Sequence, residues 1–304
     1  MRCSTRGCAM AEAAVVPGSI RGRGSTVSRL LANRRVVLGG AVLLFFALAA
    51  VFAPLIAPHD PVEQDLLLQY VPPFWSDKAE AGYLFGTDNL GRDILSRLIY
   101  GAQIALFVAV TAAAAAGLLG TVLGLLAGYL GGWVDAVISR LVEIWMAFPA
   151  VLLSIVLVAV MGTGLHSVII AIAVIDWTRF CRVVRAETMA QKQQDYVASA
   201  VTVGLGRMGI LWREILPNVL PLLLVLFTLE MGIAVIVEAI LSYVNLSLAS
   251  DFPTWGTMIA DGRKYVNQAP WLMILPIVCV IALVLALNAL GDGLKDALDP
   301  VMRK

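Results

Sequence analysis

From Leu98 to Val134 the chain carries no acidic or basic residue. An uncharged stretch of that length has no place on a water-facing surface. At 1.5 Å per residue, a helix needs only about 20 apolar residues to cross a hydrocarbon core about 30 Å thick. Comparable runs recur at Val36 to Pro58 and Ile144 to Ile175. The whole chain is 60% hydrophobic and 14% charged over 304 residues, whereas a soluble domain is about 45–50% apolar and about 25% charged. Lipid is therefore the solvent these runs require. A disordered chain, a nucleic-acid-binding domain and an ordinary cytosolic enzyme are excluded.

Six stretches have the length and apolarity of a span: Val36 to Pro58, Gln103 to Tyr129, two sharing Ile144 to Ile175, Val219 to Tyr243 and Pro270 to Leu290. The shared run divides at Met161-Gly162-Thr163-Gly164, because a pair of glycines around Thr is a turn signal. The first span is expected to be an uncleaved anchor, since its apolar run exceeds a signal peptide's core and no small-x-small site follows. With the N-terminus inside, 17 of the 22 Lys and Arg fall in inner segments. Only Lys78, Arg92, Arg97, Arg263 and Lys264 fall outside. Positive charge marks the cytoplasmic side, so the expectation is an all-α polytopic membrane protein with six transmembrane helices and both termini cytoplasmic. Its parts are a tail at 1–35, a first helix at 36–58, an extracytoplasmic loop at 59–100, a five-helix core at 101–291 and a tail at 292–304. The four cysteines, Cys3, Cys8, Cys181 and Cys279, lie far apart without ligand spacing, so neither a disulfide nor a metal site is expected.

Two connecting segments are patterned. In the outer one, Thr87 or Asp88 is placed to cap a short helix whose apolar positions Leu90, Ile94, Leu95 and Leu98 repeat at helical spacing. The inner loop, within 186–218, predicts a second short helix starting near Tyr196. There Ala198, Ser199 and Ala200 form a thin face open to close approach, and Gly204 offers the positive φ that lets the chain reverse. Such a helix suits either a groove in a soluble partner or the anionic headgroups of the membrane. The small face favours the protein partner.

Within the spans, Glu230 and Glu238 are costly in lipid and mark the bundle interior or an aqueous path. Eight residues apart, they point about 80° from each other on one broad face. Asp176 is expected to pair with Arg179 or Arg182, while His59 and His166 fall near the outer surface. Gly117, Gly120, Gly124 and Gly128 form a close-approach stripe, on the subunit core or at a seam with another chain.

The segment Tyr196 to Asn218 resembles the EAA loop of permease subunits in binding-protein-dependent ATP-binding-cassette importers. Gly204 and Arg213-x-Ile215-Leu216-Pro217-Asn218 follow that pattern, whereas Ala198 stands at its Glu position and Ser199 at its following Ala. Gly86-Thr87-Asp88-x-x-Gly91-Arg92-Asp93 resembles the outer-loop signature of the C-type permease in dipeptide, oligopeptide, nickel and glutathione importers. So do Ala57-Pro58-x-Asp60-Pro61, Gly131-Gly132-Trp133-x-Asp135, Trp255-Gly256, Ala260-Asp261-Gly262-Arg263 and the segment Gly291 to Pro300.

The resemblance implies a type I importer permease fold with a cytoplasmic coupling helix in a bacterial inner membrane. Its implied partners are a homologous B-type permease, two ABC ATPase subunits, an extracytoplasmic substrate-binding protein and membrane lipid, with no nucleic acid. Tyr196, Ala198, Ser199, Ala200, Gly204, Arg207, Arg213 and Pro217 would carry the ATPase coupling, with Glu230 and Glu238 as path candidates. No phosphate-binding loop of the G-x-x-x-x-G-K-[ST] type occurs in the chain. The subunit is thus expected to be non-catalytic and to bind no cofactor, with ATP and Mg in the partners. Short peptides, glutathione-like compounds and metal chelates all remain open as solutes. A gradient-driven secondary transporter is the rival reading.

Overall fold

The computed structural model describes residues 33–247 and 252–298. Arg2, Arg6, Arg21, Arg23, Arg29, Cys3, Cys8, Asp299, Pro300, Arg303 and Lys304 lie outside the described residues. Nine helices carry the description: α1 (Arg34–Val51), α2 (Ile94–Leu130), α3 (Gly132–Met146), α4 (Ala150–Met161), α5 (Leu165–Gln191), α6 (Asp195–Thr202), α7 (Arg207–Tyr243), α8 (Trp255–Lys264) and α9 (Trp271–Leu298). Among the described residues α1, α2, α7 and α9 are each long and apolar enough to cross a membrane. The pair α3–α4 qualifies as a fifth only if its 88° bend belongs to one broken span. α5 has the length of a span, but Asp176, Arg179 and Arg182 remove it from that set on composition.

Helix ends follow local chemistry. Asn33 caps α1 by accepting the Arg35 N–H at 3.0 Å. α1 stops at Val51, and the chain resumes a short turn at Ala53–Ile56 whose Pro54 has no N–H to extend the ladder. α2 reaches Gly131, where Gly131 and Gly132 both take positive φ (67° and 57°) and turn the chain into α3. α3 breaks at Ala147-Phe148-Pro149 because Pro149 cannot continue its hydrogen bonds. The turn expected around Met161 to Gly164 forms, with Gly162 at φ 87°.

α2 is the axis. Its 37 residues extend about 55 Å at 1.5 Å each, and alanines at 102, 105, 109, 112 and 116 let neighbouring helices close around it. Its largest interface is with α5, and glycines make that interface. A Cβ on Gly124 would sit 2.7 Å from the Cys181 carbonyl oxygen, and one on Gly128 2.7 Å from that of Arg185. Gly120 meets Trp177, Phe180 and Cys181 in the same way. The glycine stripe therefore belongs to the subunit core, and the seam with another chain is not its place.

At the start of α2, residues 57–93 fold into a crown. Gly86 (φ 78°) and Gly91 (φ 74°) lie directly against the backbone of Val71 and Asp65, leaving no room for a Cβ. Asp88 Oδ1 accepts the N–H groups of Leu90 (2.8 Å) and Arg92 (3.0 Å), and its Oδ2 accepts Arg92 Nε at 2.7 Å. Arg97 Nε stands 3.8 Å from Oδ2, and its Nη1 donates to the Pro61 carbonyl at 3.1 Å. The cap of α2 is Asp93, which takes the Ser96 N–H (2.9 Å) and hydroxyl (2.6 Å) on Oδ2. This corrects the expectation of a separate helix capped by Thr87 or Asp88. The Thr87 hydroxyl instead accepts the Val71 N–H at 3.0 Å and donates to the Leu68 carbonyl. The amphipathic turn at Ile94 to Leu98 runs unbroken into the span. Trp255 of α8 closes the crown: its indole N–H donates to the Leu98 carbonyl at 3.0 Å, its ring covers Gly101, and Phe46 of α1 meets it edge-on at 5.7 Å.

Two stability predictions follow from this packing. Gly124→Ala should lower the unfolding free energy of the detergent-purified chain by about 2 kcal/mol, the usual cost of overpacking. Gly40→Ala, where nothing lies within 4 Å, should leave the melting midpoint unchanged. Asp88→Ala strands two buried guanidiniums and should cost about 3–5 kcal/mol. Loss of the exposed Asp77 carboxylate should stay within about 0.5 kcal/mol.

Candidate functional site

At the opposite end from the crown, α5 leads through Lys192 to Gln194 into α6. Lys192 Nζ donates to the Tyr129 carbonyl at 2.7 Å, which fixes this turn to the end of α2. Arg185 grips Asp135 with two guanidinium nitrogens, Nη2 at 2.7 Å from Oδ2, tying α5 to the first turn of α3. α6 then packs Val197 and Ala200 on Leu125, Tyr129, Val184, Ile210, Leu211 and Ile215. Tyr196 Oη donates to Gln191 Oε1 at 2.8 Å. Burial and the nearby Glu214 and Glu187 carboxylates hold that phenol above its ordinary value.

The reversal after α6 is a complete Schellman cap. Leu205 N–H reaches the Ala200 carbonyl at 3.1 Å, Gly204 N–H reaches Val201 at 3.0 Å, and Gly204 takes φ 88°. Ala198 and Ser199 face outward with Val201 (57% exposed) and Val203 (79%). Ala200 does not: the face expected to hold all three small residues loses it to the core. Arg207 and Arg213 are exposed, as is Pro217. The base of α7 widens into a π-helical turn at Ile210–Ile215, where the Leu216 N–H bonds to the Leu211 carbonyl five residues back. Pro217, which has no N–H to offer, follows at once. Nothing in the sequence analysis had anticipated that widened turn.

Halfway along the bundle, Arg179 Nη1 of α5 lies 3.3 Å from Glu230 Oε2 of α7. The local pair expected for Asp176 is not made; Arg179 goes instead to Glu230, 51 positions away, which lies 3% exposed. Glu238 is deeper still, at 1% exposed, and accepts the Ser242 hydroxyl at 2.5 Å beneath α8. A cavity of about 160 Å³ opens between α4, α5 and α7, walled by Val151, Ile172, Ile175 and Ile236 and carrying Asp176 and Arg179. Among the described residues no group of three or more His, Cys, Asp or Glu is placed to hold a metal ion.

The model of the family described as "Binding-protein-dependent transport system inner membrane component" matches residues 120–304. That of the "N-terminal TM domain of oligopeptide transport permease C" matches residues 24–73. The chain is 39% identical over 275 residues to a di/tripeptide transport system permease protein of Pseudomonas aeruginosa, covering 90% of each chain. It is 39% identical to a dipeptide transport system permease protein of Haemophilus influenzae, over 90% of this chain and 92% of that one. An oligopeptide transport system permease protein of Bacillus subtilis is 35% identical over 91% of this chain and 88% of its own length. The similarity thus runs across nearly the whole length of named permeases: the chain belongs to the family of inner-membrane components of binding-protein-dependent transport systems, as a C-type permease.

Proposed function

We propose that this chain forms one half of the membrane path of an ATP-driven peptide importer. A homologous B-type permease supplies the other half, two ABC ATPases dock on the inner loops of the pair, one of them on α6, and an extracytoplasmic binding protein delivers the solute to the crown. The six spans of this reading are α1, α2, the bent pair α3–α4, α5, α7 and α9. α6 and both termini then face the cytoplasm of a bacterial cell, and the crown faces out. Glycine contacts agree with such a sidedness, since Gly293 near the end of α9 lies against Val36 at the start of α1. ATP and Mg reside in the ATPases, and this subunit catalyses no reaction.

The observation that carries the reading is the packing of α6 on the base of α7. An ATPase can move a permease only through an element that shifts as a unit. α6 is anchored on one side by Val197 and Ala200 and stopped by the Gly204 cap. It connects without slack through Ile210, Leu211 and Ile215 to a 37-residue helix that passes Glu230 and Glu238. Displacement of α6 by a closing ATPase pair therefore becomes displacement of α7 at the cavity. Ala198 and Ser199 leave this docking face without the family's carboxylate, so contact with the ATPase rests on shape and on Arg207 and Arg213. Glu230 acts in the path by holding Arg179, while Glu238 accepts the Ser242 hydroxyl one turn on within α7, beneath α8.

The first test is a detergent pull-down of the tagged chain from its native membrane. A second permease, ATPases and a binding protein should co-purify, and the assembly should take up dipeptide into vesicles only with ATP. A chain that purifies alone and still transports without ATP is a gradient-driven carrier and removes the proposal. Gly204→Glu forces a side chain into a left-handed backbone at a cost of about 1–2 kcal/mol, uncapping α6. It should lower ATP-driven uptake by roughly tenfold or more while the chain stays inserted in the membrane; normal uptake would show that α6 is not the lever.

A further inference from the structure

We propose that Asp176 is the group that receives the free α-ammonium of the solute as it passes through the membrane. This deepens the importer reading and rests on it. The cavity between α4, α5 and α7 holds about 160 Å³, the space of about five waters. That suits the amino-terminal end of a peptide, with the remainder lying along the path. Its walls are aliphatic, with Ile172, Ile175, Ile236 and Val151 among them, and two charged side chains interrupt them.

Those two are not equivalent. Arg179 already has its counter-charge, because Glu230 Oε2 stands 3.3 Å from its Nη1 inside the protein. Asp176, one turn earlier on the same helix and 4% exposed, makes no ion pair and no side-chain hydrogen bond among the described residues. Three charges thus sum to one net negative charge, and the carboxylate without a close ion pair is the one opening into an apolar cavity. A carboxylate in such surroundings costs several kcal/mol unless a cation meets it. A primary ammonium is the complement: one positive charge and three donors in a compact head. Glu230 is the wrong receptor, since binding a cation there would release Arg179. The arrangement also repels the solute's carboxylate end, so the peptide enters this pocket amino end first.

The test uses the full importer, with both permeases, the ATPases and the binding protein, in vesicles. Asp176→Asn keeps the volume and removes the charge. Expected is a fall in dipeptide uptake of about tenfold or more per assembled complex, the size of one lost charge-assisted hydrogen bond. ATP hydrolysis stimulated by the loaded binding protein should change less than about twofold, and Asp176→Glu should regain most of the uptake. A structural role would lower uptake and stimulated hydrolysis together. Carbodiimide activation of the wild-type importer with dipeptide bound should join the peptide's amino nitrogen to the Asp176 carboxyl, a mass adduct that an N-acetylated dipeptide does not give. Asp176→Asn with wild-type uptake per complex overturns the proposal. So does a variant whose only defect is loss of assembly, because Asp176 then answers a cation of the partner permease. Absence of ATP-driven peptide uptake by the wild type would remove the importer reading itself, a distinct result.

Discussion

The contact between α2 and α5 is the constraint on which the rest of the subunit depends. Helices in lipid gain nothing from burying apolar surface against one another, so they associate through dispersion at short range. Gly120, Gly124 and Gly128 bring the α2 backbone against the carbonyls of Trp177, Cys181 and Arg185. That contact sets the height of α5 along the axis. It places Arg185 opposite Asp135 and Lys192 at the Tyr129 carbonyl, and with them the base on which α6 rests. The same contact places Asp176 and Arg179 at the depth of Glu230. α6 and the cavity are thus two levels of one strut.

The crown solves a different problem. Residues 57–93 contain little regular structure, and their order comes from polar groups that water does not reach. Asp88 satisfies two backbone donors and two guanidiniums, and Trp255 ties the result to α8. Because Gly256 of α8 lies against the α7 backbone near Ala239 and Ser242, the crown is in mechanical contact with the end of the helix whose other end carries α6.

What the amino-acid sequence revealed and what it concealed divide along the range of the interactions. The Gly204 reversal, the Met161–Gly164 turn and the long apolar helices were legible because each is decided within a few residues. The cap of α2 was not. Thr87 and Asp88 are good capping residues by type, but tertiary contacts with Val71, Arg92 and Arg97 take their oxygens, and the role falls to Asp93. The partner of Arg179 was hidden for the same reason: the local Asp176 loses to Glu230, brought in by the packing of α7. Ala200 turned inward because helix periodicity places it with Val197, and no count of small residues reveals which side the core lies on.

The widened turn at Ile210–Ile215 has a consequence for how such a chain can change length. A π-helical turn holds one more residue than an α-helical one, and each residue added to a helix rotates everything beyond it by about 100°. Between the Gly204 cap and Pro217, a single insertion or deletion would turn the outward face of α6 relative to α7. The crown keeps no helical phase; its path is held by interior contacts, with Gly86 on Val71 and Gly91 on Asp65. Length in this molecule is therefore counted by helical phase at one end of the bundle and by fixed backbone contacts at the other.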